Sequence, residues 1–282
     1  KLDCFDDWYY YKHIPEYTQA SYLEHLLAKA GLELSIKNLG VASSIMSDHA
    51  GILEAIISQG KRPGLVICGI APRDFLDNSQ RVFENTPTQM FLKEYRSAAK
   101  PLPDSLASAA LQTWFETNEH QMKKFIARLH STCLESVCEL TRHPAHLQHV
   151  KSKEIAYMEK KPNLLKDLET YQRLYNPPNY QMLAQQKQYL EKFLTLARAN
   201  NIEVLLVNMP LTKENTAAMV PALHAAYLKT ITELARQNSV SLLDIGSANA
   251  NFALADFEDC CHLNAAGGEK LYATMNETLL SN

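Results

Sequence analysis

Residues 179–212 read NYQMLAQQKQYLEKFLTLARANNIEVLLVNMPLT, and this stretch decides the fold. Residues 180–200 have a helical pattern. Residues 202–208 (IEVLLVN) are a short, almost continuous apolar run that stops at Met209-Pro210. A helix followed directly by a strand too apolar to have a wet face is the unit of a parallel sheet covered by helices. The pattern continues downstream with a helix over 214–237, a strand over 240–245 (VSLLDI) and a closing helix over 265–280.

The same alternation runs through the N-terminal part. Residues 20–30 (ASYLEHLLAKA) predict a helix closed by Gly31, a residue that accepts the left-handed conformation of a helix C-terminus. Residues 33–39 (ELSIKNL) alternate apolar and polar and predict a strand ending at Gly40. Residues 45–59 predict a helix ended by Gly60, and residues 64–70 (GLVICGI) a strand buried on both faces. From about 75 to 175 the strand signal stops and helical patterns with several prolines take over, residues 105–140 among them. Asn176-Pro177-Pro178-Asn179 closes this stretch. About a hundred residues are too many for a plain loop, so the reading is a mainly helical insertion or cap over 75–175. It is set into an α/β domain made of 1–74 and 176–282, a parallel sheet with helices on both faces.

The 282 residues carry a net charge of -3, which favours no nucleic-acid partner, and no run is long and apolar enough to cross a membrane. The six cysteines show neither zinc-ligand nor CxxC spacing. Cys68, inside an apolar run, reads as a small core residue, and Cys133 and Cys138 do not share a helix face. Residues 121–166 are rich in Lys, Arg and His. They read as a solvated face, with a surface for anionic polymer or lipid headgroups as the alternative.

Three segments carry candidate chemistry. In residues 259–268 (DCCHLNAAGG), Asp259 and His262 stand three apart, just ahead of the closing helix. A tight turn at that offset can bring a carboxylate to an imidazole, the orienting acid and the base of a hydrolytic site. An ordinary capping loop with a surface histidine fits the same letters. Asn264 reads as the helix N-cap, and Gly267 and Gly268 allow close packing. Residues 38–44 (NLGVASS) follow a strand and open a helix, so the Gly40 N–H could face an oxyanion. Ser43 and Ser44 are the local hydroxyls, although a simple turn with a serine cap accounts for them equally well. Residues 69–75 (GIAPRDF) and Asn208 lie at strand ends, the edge where open α/β sheets bind ligands. Arg73 and Asp74 there fit either substrate binding or a structural ion pair, and Asn208 either a pocket wall or a strand-terminating turn.

The order Gly40, the 69–74 loop, then Asp259-x-x-His262 resembles the SGNH (GDSL-like) hydrolase superfamily. The 179–212 and 259–271 segments resemble a bacterial SGNH-like family related to polysaccharide O-acetyltransferase-like proteins. The resemblance covers the α/β portions and is strongest from Asn176 onward. It implies a flavodoxin-like three-layer sandwich and ester hydrolysis or acyl transfer without a metal or organic cofactor. A carbohydrate or small ester is the implied substrate. Such relatives work outside the cytoplasm, some anchored to the membrane, beside a membrane acyltransferase partner. The alternative is an inactive SGNH-like domain used for binding or assembly. Two departures stand out. Arg73 and Asp74 occupy the loop that should hold an oxyanion-binding asparagine. Ahead of the first helix, where an aliphatic strand and a serine turn belong, residues 8–19 read WYYYKHIPEYTQ. The expectation is an interruption near Tyr17-Thr18 that leaves out a central strand with its serine. The alternative is a rearranged sheet in which Ser43, Ser44 or no serine serves.

Overall fold

A computed structural model describes residues 21–41, 44–79, 86, 88–89, 92–93, 164–248 and 251–281. Ser43, residues 1–20 and most of the expected helical insertion, 94–163, lie outside the described residues. In chain order the main elements are α1 (Ser21–Lys29), α2 (Met46–Ser58), β1 (Leu65–Ile70), α3 (Arg73–Leu76), α4 (Leu164–Tyr175) and α5 (Tyr180–Ala199). They continue with β2 (Glu203–Asn208), α6 (Lys213–Ala217), α7 (Pro221–Asn238), β3 (Ser241–Asp244), α8 (Ile245–Ala248) and α9 (Ala265–Ser281). A 3₁₀ turn, Leu254–Asp256, precedes α9.

The three strands form a parallel sheet in the order β1-β2-β3, with Leu65 opposite Glu203 and Leu205 opposite Ser241. β2 is central and is buried from Val204 to Asn208. Two apolar layers sandwich the sheet. One joins α2, α5 and α7 through Leu53, Leu190, Phe193, Leu223 and Ile231 to Leu206 of β2. The other joins α1 and α9 through Leu23, Leu27, Leu271 and Met275 to Leu205 and Val207. Successive β2 residues therefore feed opposite cores, which is why the strand shows no polar alternation. The result is a three-layer α/β/α arrangement.

Local signals set most boundaries. Gly31 (φ 86°) and Gly60 (φ 74°) end α1 and α2 in the left-handed region. Asn179 caps α5 by accepting from the Met182 N–H at 2.9 Å. Two expectations are corrected. The single helix over 214–237 is broken into α6 and α7, because the Pro221 ring disfavours helical backbone at Val220 (ψ 127°) and itself starts α7. Residues 33–39 do not form a strand; the segment carries one bridge position, at Lys37. Leu32 and Leu34 in this region are 40% and 50% exposed. An alternating pattern becomes a strand only where a ladder runs along several residues, and here the pairing is confined to the bridge at Lys37.

α9 is held close to the turn ahead of it. A Cβ on Gly267 would lie 2.2 Å from the Asp256 carbonyl oxygen and 2.8 Å from Leu263 Cδ2. Gly267→Ala should therefore destabilise the fold by about 1–3 kcal/mol. A chemical denaturation midpoint equal to that of the parent chain would contradict this close approach.

Candidate active site

The turn between the 3₁₀ segment and α9 is closed by its own backbone. Phe257 and Leu263 form an antiparallel bridge, and the Glu258 N–H donates to the His262 carbonyl at 2.9 Å. Asn264 fastens the far end: its Oδ1 accepts from the Gly267 N–H at 3.1 Å, and its Nδ2 donates to the Ala255 carbonyl at 2.7 Å. A tether to the loop after β2 places the turn at the carboxyl edge of the sheet. The Thr212 hydroxyl donates to the Cys260 carbonyl at 2.8 Å.

Within this turn Asp259 is organised by three donors. Its Oδ1 accepts from the N–H groups of Cys261 (2.8 Å) and His262 (2.7 Å), and its Oδ2 lies 2.5 Å from His262 Nδ1. Burial alone would raise the pKa of this carboxyl. The hydrogen bond and charge of His262, with the two backbone N–H groups, outweigh burial and hold it below the ordinary carboxylate value. An ionised Asp259 accepting at Oδ2 makes Nδ1 the donor, so the neutral ring presents Nε2 as an acceptor. No described residue hydrogen-bonds Nε2, and the His262 side chain is 34% exposed.

Behind the imidazole lies a contact that the sequence did not suggest. Cys261 Sγ is 3.4 Å from His262 Nδ1 and 2.6 Å from the Tyr171 hydroxyl on α4. Burial pushes both the Cys261 thiol and the Tyr171 phenol well above their usual pKa values, so both stay protonated at neutral pH. Tyr171 also feels the charge of Arg73. Ninety positions separate Tyr171 from Cys261, and no local pattern links them. Asp259, Cys261 and His262 each offer one ligand atom, all within 4.8 Å of one another. The 2.5 Å carboxylate–imidazole separation is that of a hydrogen bond and is shorter than the roughly 3 Å or more between two ligand atoms on one ion, so Asp259 and His262 fit a hydrogen-bonded pair better than a metal centre.

The other candidate residues are engaged as follows. The Arg73 guanidinium donates to Asp77 at 2.8 Å. Its burial would lower the pKa, but Asp77 and Asp74 more than compensate and raise it. Asp74 accepts from the Ala71 N–H at 2.9 Å. The Gly40 N–H donates to Asn38 Oδ1 at 2.9 Å, and the buried Ser44 hydroxyl donates to the Val41 carbonyl at 2.7 Å. Asn208 is buried: its Oδ1 accepts from the Tyr227 hydroxyl and its Nδ2 donates to Asp244, both at 2.7 Å. It ties the ends of β2 and β3 to α7. Asn208→Ala would take this acceptor from the buried Tyr227 hydroxyl and should cost about 1–3 kcal/mol. An unchanged free energy of unfolding in urea would argue against that tie. Among the described residues no serine hydrogen-bonds His262.

The profile of a family described as a protein of unknown function (DUF1574) matches residues 17–272. The chain belongs to that family, which is grouped with the SGNH-hydrolase-like families. No curated protein matches the chain.

Proposed function

From membership of an SGNH-like family and the geometry of the 259–262 turn, we propose an SGNH-type esterase or O-acyltransferase acting on ester-linked acyl groups of a carbohydrate-like substrate. One observation carries this reading: Asp259 fixes the His262 tautomer and leaves Nε2 available at the carboxyl edge of a parallel sheet. In the reaction, Nε2 takes the proton of a nucleophilic hydroxyl as its oxygen attacks the acyl carbon. The imidazolium, held by Asp259, then returns that proton to the leaving alkoxide. In hydrolysis the acceptor of the acyl group is water; in transfer it is a second hydroxyl. We place the reaction outside the cytoplasm, beside a membrane acyltransferase, in a flavodoxin-like domain with a helical cap.

The second reading is an inactive SGNH-like domain that binds or assembles. It draws on the Ser44 hydroxyl being turned to Val41 and the Gly40 N–H to Asn38, rather than both serving an acyl site. Turnover separates the two. The natural polypeptide is incubated with an O-acetylated polysaccharide and with an aryl acetate, and acetate release is measured. Release that requires His262 supports the enzyme; release equal to buffer on both esters supports the binding domain.

A further inference from the structure

Two consecutive cysteines, Cys260 and Cys261, stand between Asp259 and His262, and each is met from outside the turn. Asn215 Nδ2 of α6 donates to Cys260 Sγ at 3.5 Å, while Asn215 Oδ1 accepts from the Tyr175 hydroxyl of α4 at 3.2 Å. The Tyr171 hydroxyl, also on α4, lies 2.6 Å from Cys261 Sγ. Tyr171 and Tyr175 are one helical turn apart and so share a face, with ring centroids separated by 5.8 Å. That face of α4 backs the turn carrying the acid and the imidazole.

α4 is itself anchored. The Asn78 N–H donates to the Leu174 carbonyl at 3.0 Å, and Asn176 Nδ2 donates to the Ala218 carbonyl at 3.0 Å. Tyr171 and Cys261 pack against the same apolar core. The Tyr171 hydroxyl is thus presented to the turn from a fixed helix.

The Asp259 hydrogen bond sets the tautomer of His262 but holds the ring at one atom, Nδ1. A ring fixed at Cβ and Nδ1 can still rock about the line joining them, and rocking moves Nε2. Cys261 Sγ, 3.4 Å from Nδ1, opposes that motion. The cysteine side chain has a single torsion with three staggered positions. The position it occupies meets both the imidazole and Tyr171. Among the described residues Tyr171 makes no hydrogen bond to His262 itself, so its effect on the ring passes through Cys261.

We infer that Tyr171 is a positioning residue for the proposed reaction: it holds Cys261 against the His262 imidazole and so keeps Nε2 in place. The kinetic consequence rests on the proposed function, whereas the brace is a property of the fold.

The test uses the full-length protein with isotope-labelled histidine. The exchange of the His262 Nδ1 proton with water is measured by NMR, beside kcat and KM for acetate release. Tyr171→Phe keeps the ring and removes the hydroxyl. It should speed Nδ1–H exchange and lower kcat, each by roughly 3- to 10-fold, the population shift worth one hydrogen bond. KM should stay within about twofold, because ground-state binding is untouched. Cys261→Ala should show at least the same losses, and adding Tyr171→Phe to it should change nothing further. Losses that multiply in the double variant overturn the inference, since they mean that Tyr171 acts by another route. Parent-like exchange in Tyr171→Phe overturns it too, as does a parent Nδ1 proton that exchanges as fast as that of free imidazole. A raised KM with kcat kept would make Tyr171 a substrate contact instead. The exchange measurement also separates this claim from the enzymatic one. Faster exchange in Tyr171→Phe, in a protein that releases no acetate, keeps the brace and removes the esterase.

Discussion

His262→Ala is expected to lower acetate release by the natural polypeptide by roughly 10⁴- to 10⁶-fold, with little change in folding stability. The size of the loss comes from the way such groups act as a unit: without a base, the hydroxyl and its oxyanion donors retain only the residual rate. The small stability effect comes from the position of the ring, which is 34% exposed and, among the described residues, makes polar side-chain contacts with Asp259 and Cys261. Measuring turnover together with a urea unfolding curve separates chemistry from folding. A variant that retains activity within tenfold of the parent would rule out His262 as the base.

Asp259→Asn is expected to lower turnover by roughly 10³- to 10⁴-fold, because an amide can donate to Nδ1 and so favours the wrong ring tautomer. It should also change how stability depends on acid. The folded carboxyl lies below its ordinary pKa, so the unfolded chain takes up its proton first as pH falls. The stabilisation from ionised Asp259 is thus complete above the unfolded value. It is lost as pH drops through the folded one, below about 4. The free-energy gap between parent and Asp259→Asn should be constant near neutrality and shrink through that acid window. A gap that widens on acidification would show that the carboxyl is not held ionised by its three donors.

The features that the sequence revealed are those decided locally. β2 was legible because its residues feed two cores in turn, and a strand without a wet face has few other readings. The Asp259–His262 pair was legible because three residues and two backbone N–H bonds suffice to build it. Features that need distant partners were not. The alternation of residues 33–39 matches a strand, yet its structure depends on what lies along its edge. Tyr171 reaches Cys261 only because α4 packs against the β2 end of the domain, where the Tyr175 hydroxyl donates to Asn215 of α6. Arg73 chose Asp77 over its neighbour Asp74 through a four-residue helical spacing, which the letters RD concealed.

The central claim is that His262 and Asp259 activate a serine hydroxyl. Labelling the natural polypeptide with a fluorophosphonate and locating the adduct by tandem mass spectrometry tests it most directly. The predicted result is a single modified serine that is not Ser44, with labelling abolished in His262→Ala. The contradicting result is no adduct at probe concentrations that fully label a known serine hydrolase in the same tube, or an adduct that forms equally well without His262.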